Sequence, residues 1–285
     1  MNRLLGTLAV AAALAATPAL AQIKIATVGP MTGQYAAFGE QMKRGAEMAV
    51  KDINAAGGVD GKQLVLQIGD DACDPKQATA VANKLVSDKV VFVAGHYCSG
   101  SSIPASDIYK EAKILQITPA STNIKLTDDA FTKGNTTVFR TCGRDDVQGA
   151  TVGAYIIKNN KNAKIAVLHD KSPYGKGVAD ETVKALAKGG VKPAMYEAYN
   201  DTDKDFSALI NKMKQAKIDI IVLGGYHTAG ALLIKQSREQ GLAAQMVEVR
   251  QFEVRVGCNG TVHQSKAQEG NQDQAVGHEV LQDGD

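Results

Sequence analysis

Short apolar runs alternate with amphipathic helical stretches along most of this chain, and that rhythm narrows the possible folds more than any other feature. Residues 23–28 are apolar and β-rich, and a helical stretch follows with Met42, Ala46, Ala49, Val50 and Ile53 on one face. Gly57-Gly58 ends it, and Asp60-Gly61 supplies a turn. Residues 63–68 read as a strand. Residues 75–86 read as a helix, with Asp74 at its cap and Pro75 in its first turn. Residues 90–94 form a short continuous apolar run, as expected of a strand buried on both faces. The pattern continues with helix 103–112, strands 114–117 and 138–141, and a helix capped by Asp145 or Asp146 and running through Ile157. Strand 164–168, helix 175–187, strand 193–198, helix 206–216, strand 218–223 and helix 229–240 complete it. Such alternation predicts an α/β fold of parallel sheets with helices on both faces.

The rhythm falls into two units, residues 22–141 and 142–246, and the irregular interval around Phe131 and Gly134 reads as the crossing between them. Ahead of them, residues 1–21 have the form of a secretion signal. Arg3 gives the positive start, residues 4–14 are largely apolar, and Ala19-Leu20-Ala21 is a small-residue cleavage site. The mature chain is expected to begin at Gln22, outside the cytoplasm, in the periplasm. Beyond Met246 glutamine, glycine and charge dominate, so residues 247–285 are expected to be an atypical tail, poorly ordered or the product of a frameshift.

A net charge of +2, with lysines and acids interleaved, argues against nucleic acid as the partner. Neither half carries G-x-G-x-x-G or a Walker loop, so no nucleotide cofactor is expected. There is no C-x-x-C, and His96 has no metal-ligating neighbour in sequence, so no metal site is expected.

The segments Asp70-Asp71-Ala72-Cys73-Asp74-Pro75 and Gly95-His96-Tyr97-Cys98-Ser99-Gly100 each follow a strand-like run and lead into a helix. In an open α/β sheet that edge is where ligands bind. An exported chain favours disulfides, and neighbouring strands would bring Cys73 and Cys98 together. Closing such a loop is worth roughly 3–4 kcal/mol in the chain-entropy picture. Cys142 and Cys258 suggest no pairing. Other strand-end loops offer Gln34, Tyr35 and Phe38; Ala120, Ser121 and Thr122; His169, Asp170, Lys171 and Tyr174; and Gly224, Gly225, Tyr226 and His227. Aromatic residues make up only 5% of the chain, yet several occupy these loops. Aromatic walls with hydroxyls and free backbone groups describe a pocket for a small amphiphile, and an amino-acid zwitterion fits. Ser99 and Thr122, with the helix start near Gly100, would serve its carboxylate. The carbonyl of Ala120 would serve its ammonium, and Phe38, Tyr97, Tyr174 and Tyr226 its side chain.

These residues resemble the leucine/isoleucine/valine-binding proteins of branched-chain amino acid ABC transporters. The resemblance rests on Ile23-Lys24-Ile25-Ala26, Gly45-Ala46-Glu47, Asp52-Ile53-Asn54-Ala55, Asp70 through Lys76, and Gly95-His96-Tyr97-Cys98-Ser99. It continues in Pro104 through Tyr109, Ile117-Thr118-Pro119-Ala120, His169-Asp170-Lys171 with Tyr174-Gly175, and Gly224-Gly225-Tyr226-His227. It implies a two-lobed type I periplasmic binding fold that closes on its ligand. Carried over, Ser99 and Thr122 contact the ligand's charged groups, and Ala120 contributes its backbone. Phe38, Tyr97, Tyr174 and Tyr226 line the remainder, with Tyr226 also near the carboxylate, and Cys73 with Cys98 matches the family disulfide. The implied partners are a small aliphatic amino acid and an inner-membrane ABC permease, with the binding protein a monomer by default. Two departures stand out. Arg250 falls where the family carries an acid for the ligand ammonium, with Glu248 and Glu253 close by, and the family's later return to the first lobe is not recognisable.

Two other classes compete. An amide or amino-acid sensor of the same fold would be joined to a signalling segment, and none is evident. An enzyme could use Cys98 with His96, or Ser99 with His169 and Asp170. Cys98 is better spent in a disulfide, and no G-x-S-x-G elbow exists. The expected function is binding, not catalysis.

Overall fold

A computed structural model describes residues 22–248, 255–256 and 262–263. The expected secretion signal, Arg250, Glu253 and Cys258 lie outside the described residues.

The apolar runs form parallel strands, as a chain that returns through a helix after each strand must. The first sheet holds β1 (Ile23–Gly29), β2 (Leu64–Asp70), β3 (Phe92–Gly95), β4 (Leu115–Thr118) and β5 (Val138–Arg140), in the order β2-β1-β3-β4-β5. Its helices are α1 (Ala36–Ala55), which follows a 3-10 turn at Gly33–Tyr35, then α2 (Pro75–Ser87), α3 (Ser99–Glu111) and α4 (Lys125–Thr132). The second sheet holds β6 (Ile165–His169), β7 (Met195–Ala198), β8 (Ile220–Gly224) and β9 (Gln245–Glu248), in the order β7-β6-β8-β9. Its helices are α5 (Asp145–Asn160), α6 (Pro173–Lys188), α7 (Ser207–Ala216) and α8 (His227–Glu239). Separately, β10 (Arg255–Val256) pairs antiparallel with β11 (Val262–His263).

The second lobe shows why its central strands read as unbroken apolar runs. Ile165 and Val167 of β6, with Ile220 and Val222 of β8, pack with Val152 and Ile156 of α5 and Val178 and Leu186 of α6. The alternate residues Ala166, Leu168, Ile221 and Leu223 pack on the other face with Phe206, Ile210, Met213 and Leu233. Each fully buried leucine or isoleucine contributes roughly 1.5–3 kcal/mol.

The first lobe is less evenly clothed. Ala26, Val28 and Val93 pack under Ala82 and Leu85 of α2 and Ala105 and Tyr109 of α3. On the opposite face α1 touches β1 and β2. Leu115 of β4 and Phe139 of β5 stay exposed there. The apolar face expected of α1 is accordingly half covered: Met42, Ala46 and Val50 are partly buried, whereas Ala49 and Ile53 are exposed.

Three local expectations are corrected. Residues 130–134 are not the crossing between lobes: α4 ends there, and β5 still pairs parallel with β4. The interruption is a helix stop, with Gly134 at φ +67° and Asn135 N donating to Ala130 O at 2.7 Å. α3 starts at Ser99, four residues earlier than its apolar periodicity suggests, because Ser99-Gly100-Ser101-Ser102 forms a helical turn without an apolar face. Neither Asp145 nor Asp146 caps α5: Arg144 is its N-cap, and Asp145 is its first residue. The Asp74 cap of α2 stands, accepting from Gln77 N at 2.8 Å with Pro75 in the first turn.

Candidate functional site

Loops leaving the carboxyl ends of the two sheets touch one another. Gly95 makes the turn out of β3 possible: its φ is +146°, and a Cβ there would lie 2.3 Å from the carbonyl oxygen of Val28. The next residue, His96, is fully buried. Its Nδ1 lies 2.6 Å from Asp71 Oδ2 and its Nε2 3.0 Å from the Tyr109 hydroxyl. Burial holds the Tyr109 phenol well above the usual tyrosine range, and the Asp71 charge adds to this. The His96 carbonyl accepts from the hydroxyls of Thr118 at 2.6 Å and Ser102 at 3.1 Å. A disulfide joins Cys73 to Cys98, with their Cα atoms 5.5 Å apart. The Tyr97–Ser99 loop is thus fixed from both ends.

Ser99 and Thr122 are both buried at the strand ends of the first lobe. Ser99 Oγ accepts from Asn123 N at 3.2 Å, which leaves its proton to donate elsewhere. The start of α3 has no side-chain cap. Ala120 is half-buried, with its amide directed to Thr118 Oγ1 at 3.2 Å. Ser121 differs from its neighbours. Its hydroxyl lies 2.6 Å from Ser102 Oγ and 3.0 Å from the Tyr97 carbonyl, so it belongs to the floor beneath the loop.

The second lobe presents aromatic residues. Ser172 caps α6, its Oγ accepting from Gly175 N at 2.9 Å and donating to Asp170 Oδ1 at 2.6 Å. That cap sets Tyr174 in the first turn. A Cβ on Gly224 would lie 2.2 Å from the Gly175 carbonyl, so the helix start sits directly on the end of β8. Tyr226 follows at the head of α8, its ring centroid 5.2 Å from that of Tyr174 and 4.5 Å from that of Tyr35. Phe38 stacks on Tyr97 at 4.7 Å and meets His227 edge-on at 5.0 Å. Tyr35, Phe38, Tyr97, Cys98, Tyr174 and Tyr226 therefore share one apolar cluster drawn from both lobes. Polar contacts also cross the seam. Asn123 Nδ2 donates to the Pro173 carbonyl, and a Cβ on Gly100 would lie 3.3 Å from Pro173 Cδ. Ser99 and Thr122 are the chain neighbours of Gly100 and Asn123, the first-lobe residues that make these two contacts.

Asp201, in the loop after β7, takes two donors from the first lobe: the Tyr35 hydroxyl at 2.8 Å and Gln34 Nε2 at 2.9 Å. Burial first, then Asp201, holds the Tyr35 phenol far above the usual range. Burial also pushes the Asp170 carboxyl up to about 6, with the Ser172 hydrogen bonds opposing and Asp201 adding repulsion. Sequence reasoning placed Tyr35 and Gln34 in the right loop but had no means of pairing them with Asp201. As for the enzyme-like sets, Cys98 is held in the disulfide, and His169 Nδ1 accepts from Lys171 N at 3.1 Å while its ring lies against Tyr196.

The sequence profile of the family described as periplasmic binding protein matches residues 22–254. The chain belongs to this family. Two relatives illustrate the likeness in sequence. A Leu/Ile/Val-binding protein homolog 2 from Brucella abortus is 52% identical over 227 residues, covering 80% of this chain and 60% of that protein. The leucine-, isoleucine-, valine-, threonine- and alanine-binding protein of Pseudomonas aeruginosa is 46% identical over 247 residues, covering 87% of this chain and 65% of its own. This chain thus spans less than two thirds of either relative. Among solved structures, the branched-chain amino acid transporter substrate-binding protein LivJ of Streptococcus pneumoniae, in complex with isoleucine, superposes with a TM-score of 0.70 at 32% identity. That match covers 80% of this chain and 64% of LivJ.

Proposed function

We propose that this chain is an extracytoplasmic solute-binding protein, a periplasmic monomer that captures an aliphatic L-amino acid, branched-chain ones foremost, between its lobes. Closing the lobes buries the guest, and the closed shape is what an inner-membrane ABC permease reads. The chemistry is a shift of population, not a reaction.

The observation that carries this reading is the division of labour across the crevice. Ser99 and Thr122 are buried hydroxyls of the first lobe, with Ser99 at the uncapped start of α3, and Tyr174 and Tyr226 are buried neighbouring aromatics of the second. The Ser99 proton and the first amides of α3 suit a carboxylate, which the positive end of the helix also favours. Thr122 Oγ1 and the Ala120 carbonyl suit an ammonium. Phe38, Tyr97, Tyr174 and Tyr226 suit an aliphatic side chain, which they surround with apolar surface. Ser121 supports the loop from beneath and touches the guest through its backbone at most. The names of the Brucella and Pseudomonas relatives and the isoleucine held by LivJ agree with this choice of guest.

Losing one hydrogen bond to a charged ligand group costs roughly 1.5–3 kcal/mol, or about one to two decades of affinity. Titration calorimetry with leucine, isoleucine and valine should therefore show binding that Ser99→Ala weakens by that factor. Heat from sugars alone, or from no amino acid at all, would overturn the reading.

A further inference from the structure

One buried acid has no role in the site as described so far. Asp145 is the first residue of α5, and its amide donates to the Thr122 carbonyl at 3.0 Å. Its side chain is fully buried, and neither carboxylate oxygen meets a hydrogen-bond partner among the described residues. The Thr122 hydroxyl is likewise buried and without a partner among those residues. The two groups stand side by side, short of bonding geometry.

The surroundings explain why this carboxylate stays unpaired. Arg140 of β5 is the nearby cation; its Nη atoms donate to the Ser121 carbonyl at 2.7 Å and to Asn123 O and Thr127 Oγ1 at 2.9 Å, and its Nε, buried and without a partner among the described residues, makes no bond to Asp145. Across the seam, α6 presents Gly177, where a Cβ would lie 2.3 Å from Asp145 Oδ2. Glu181 of α6 and Asp146 of α5 add negative charge. Burial above all pushes the Asp145 carboxyl up to about 7; Thr122 and Arg140 oppose the shift, and Glu181 and Asp146 add to it. Among the described residues no cation is bonded to this buried carboxylate, and the function proposed above brings one to Thr122.

We propose that Asp145 is the positioning residue for the ligand ammonium: it accepts a hydrogen bond from the Thr122 hydroxyl, so that Thr122 Oγ1 turns its lone pairs to the ammonium. The negative charge then answers the ligand cation through one hydroxyl. The inference rests on the reading of the site as an amino-acid pocket. Its consequence is proton linkage. A bound cation favours ionised Asp145, so ligand binding releases a proton wherever the free chain holds one. Affinity is full above neutrality and weakens as pH falls below about 7, by up to about tenfold per pH unit.

The test is calorimetry on the full chain with leucine between pH 5.5 and 8.5, in two buffers of different ionisation enthalpy. The wild-type chain should release protons on binding and lose affinity toward acid. Asp145→Asn should bind leucine about tenfold to a hundredfold more weakly at pH 8, with a flat pH profile and no proton release. It should leave 4-methylpentanoate, leucine without its ammonium, unaffected. Thr122→Val keeps the carboxylate and removes the relay, and should flatten the profile as well. Wild-type affinity and pH slope in a folded Asp145→Asn chain, or a wild-type slope in Thr122→Val, would overturn the inference. Infrared difference titration of wild type against Asp145→Asn separates this from failure of the pocket reading. A carboxyl titrating near neutral pH supports the inference even where no amino acid binds, and its absence overturns it.

Discussion

Removing the Asp201 carboxylate should open the crevice. Asp201 Oδ2 accepts from Tyr35 at 2.8 Å and from Gln34 at 2.9 Å, so one carboxylate on the second lobe holds two side chains of the first. Gln34 is exposed, and water replaces its bond at little cost. Tyr35 is only 5% exposed, so in the closed form its hydroxyl would be left without its acceptor. Hydrogen bonds to charged groups are worth about 1.5–3 kcal/mol. Part of that returns, because Asp201 repels the buried Asp170, and relieving that repulsion favours the variant. A net loss of about 1–2 kcal/mol moves the closed-to-open ratio by about five- to thirtyfold. Asp201→Ala should therefore speed leucine dissociation by that factor in stopped flow and raise the radius of gyration of the unliganded chain in solution scattering. Tyr35→Phe removes the same bond from the other side. The double variant should then cost no more than either single one, because both changes delete one interaction. Additive effects in that cycle, or dissociation at the wild-type rate in Asp201→Ala, would refute the argument.

Stability should rise as pH falls from 7.5 toward 5. Burial raises the folded-state values of Asp145 to about 7 and Asp170 to about 6, so over this range the native chain holds protons that the unfolded chain releases. Below about pH 4 that gain is complete. There Asp70, Asp128 and Asp146, whose values are lowered, start to lose their hydrogen bonds and ion pairs. Scanning calorimetry should find the highest Tm near pH 5, and a Tm that falls steadily from pH 7.5 to 5 would contradict this. Tyr109→Phe leaves His96 Nε2 buried without its partner and should cost about 1–3 kcal/mol in urea unfolding; an unchanged midpoint would show that the His96 network holds nothing in place. Gly224→Ala puts a Cβ 2.2 Å from the Gly175 carbonyl and should destabilise by about 2 kcal/mol or more, whereas wild-type stability would mean α6 can draw back from β8 freely.

The second lobe was the more legible in sequence because it is the more evenly buried. β6 and β8 are covered on both faces, so every residue from Ile165 to Leu168 and from Ile220 to Leu223 is apolar, and the run announces the strand. The first lobe misled wherever burial and polarity parted company. The opening turn of α3 packs through Ser99, Ser101 and Ser102, which are buried yet polar, so no apolar period marks it. α4 is short and carries Phe131 on its exposed side, which made a helix end look like a break between lobes. Periodicity reports burial, and it reports structure only where the two coincide.

The site was legible to the extent that it follows from strand direction. Parallel strands send every outgoing loop to one edge, which is why residues as far apart as Ser99 and Tyr226 can be expected near one another from the sequence. What a loop residue does once there is set by contacts of long sequence separation. Ser121 turns into the floor because Ser102 and the Tyr97 carbonyl wait for it, 19 and 24 residues away. Asp201 matters because Tyr35 arrives from 166 residues upstream. Asp145 reads in sequence as an ordinary helix-capping acid, the commonest use for an aspartate at that place. Only the fold reveals that Arg144 has taken the cap, that Gly177 clears the space opposite, and that the Nη atoms of Arg140 bond to Ser121, Asn123 and Thr127 instead. An acid relieved of its local duty and buried beside a hydroxyl that, like it, has no hydrogen-bond partner among the described residues is the feature the sequence could not announce.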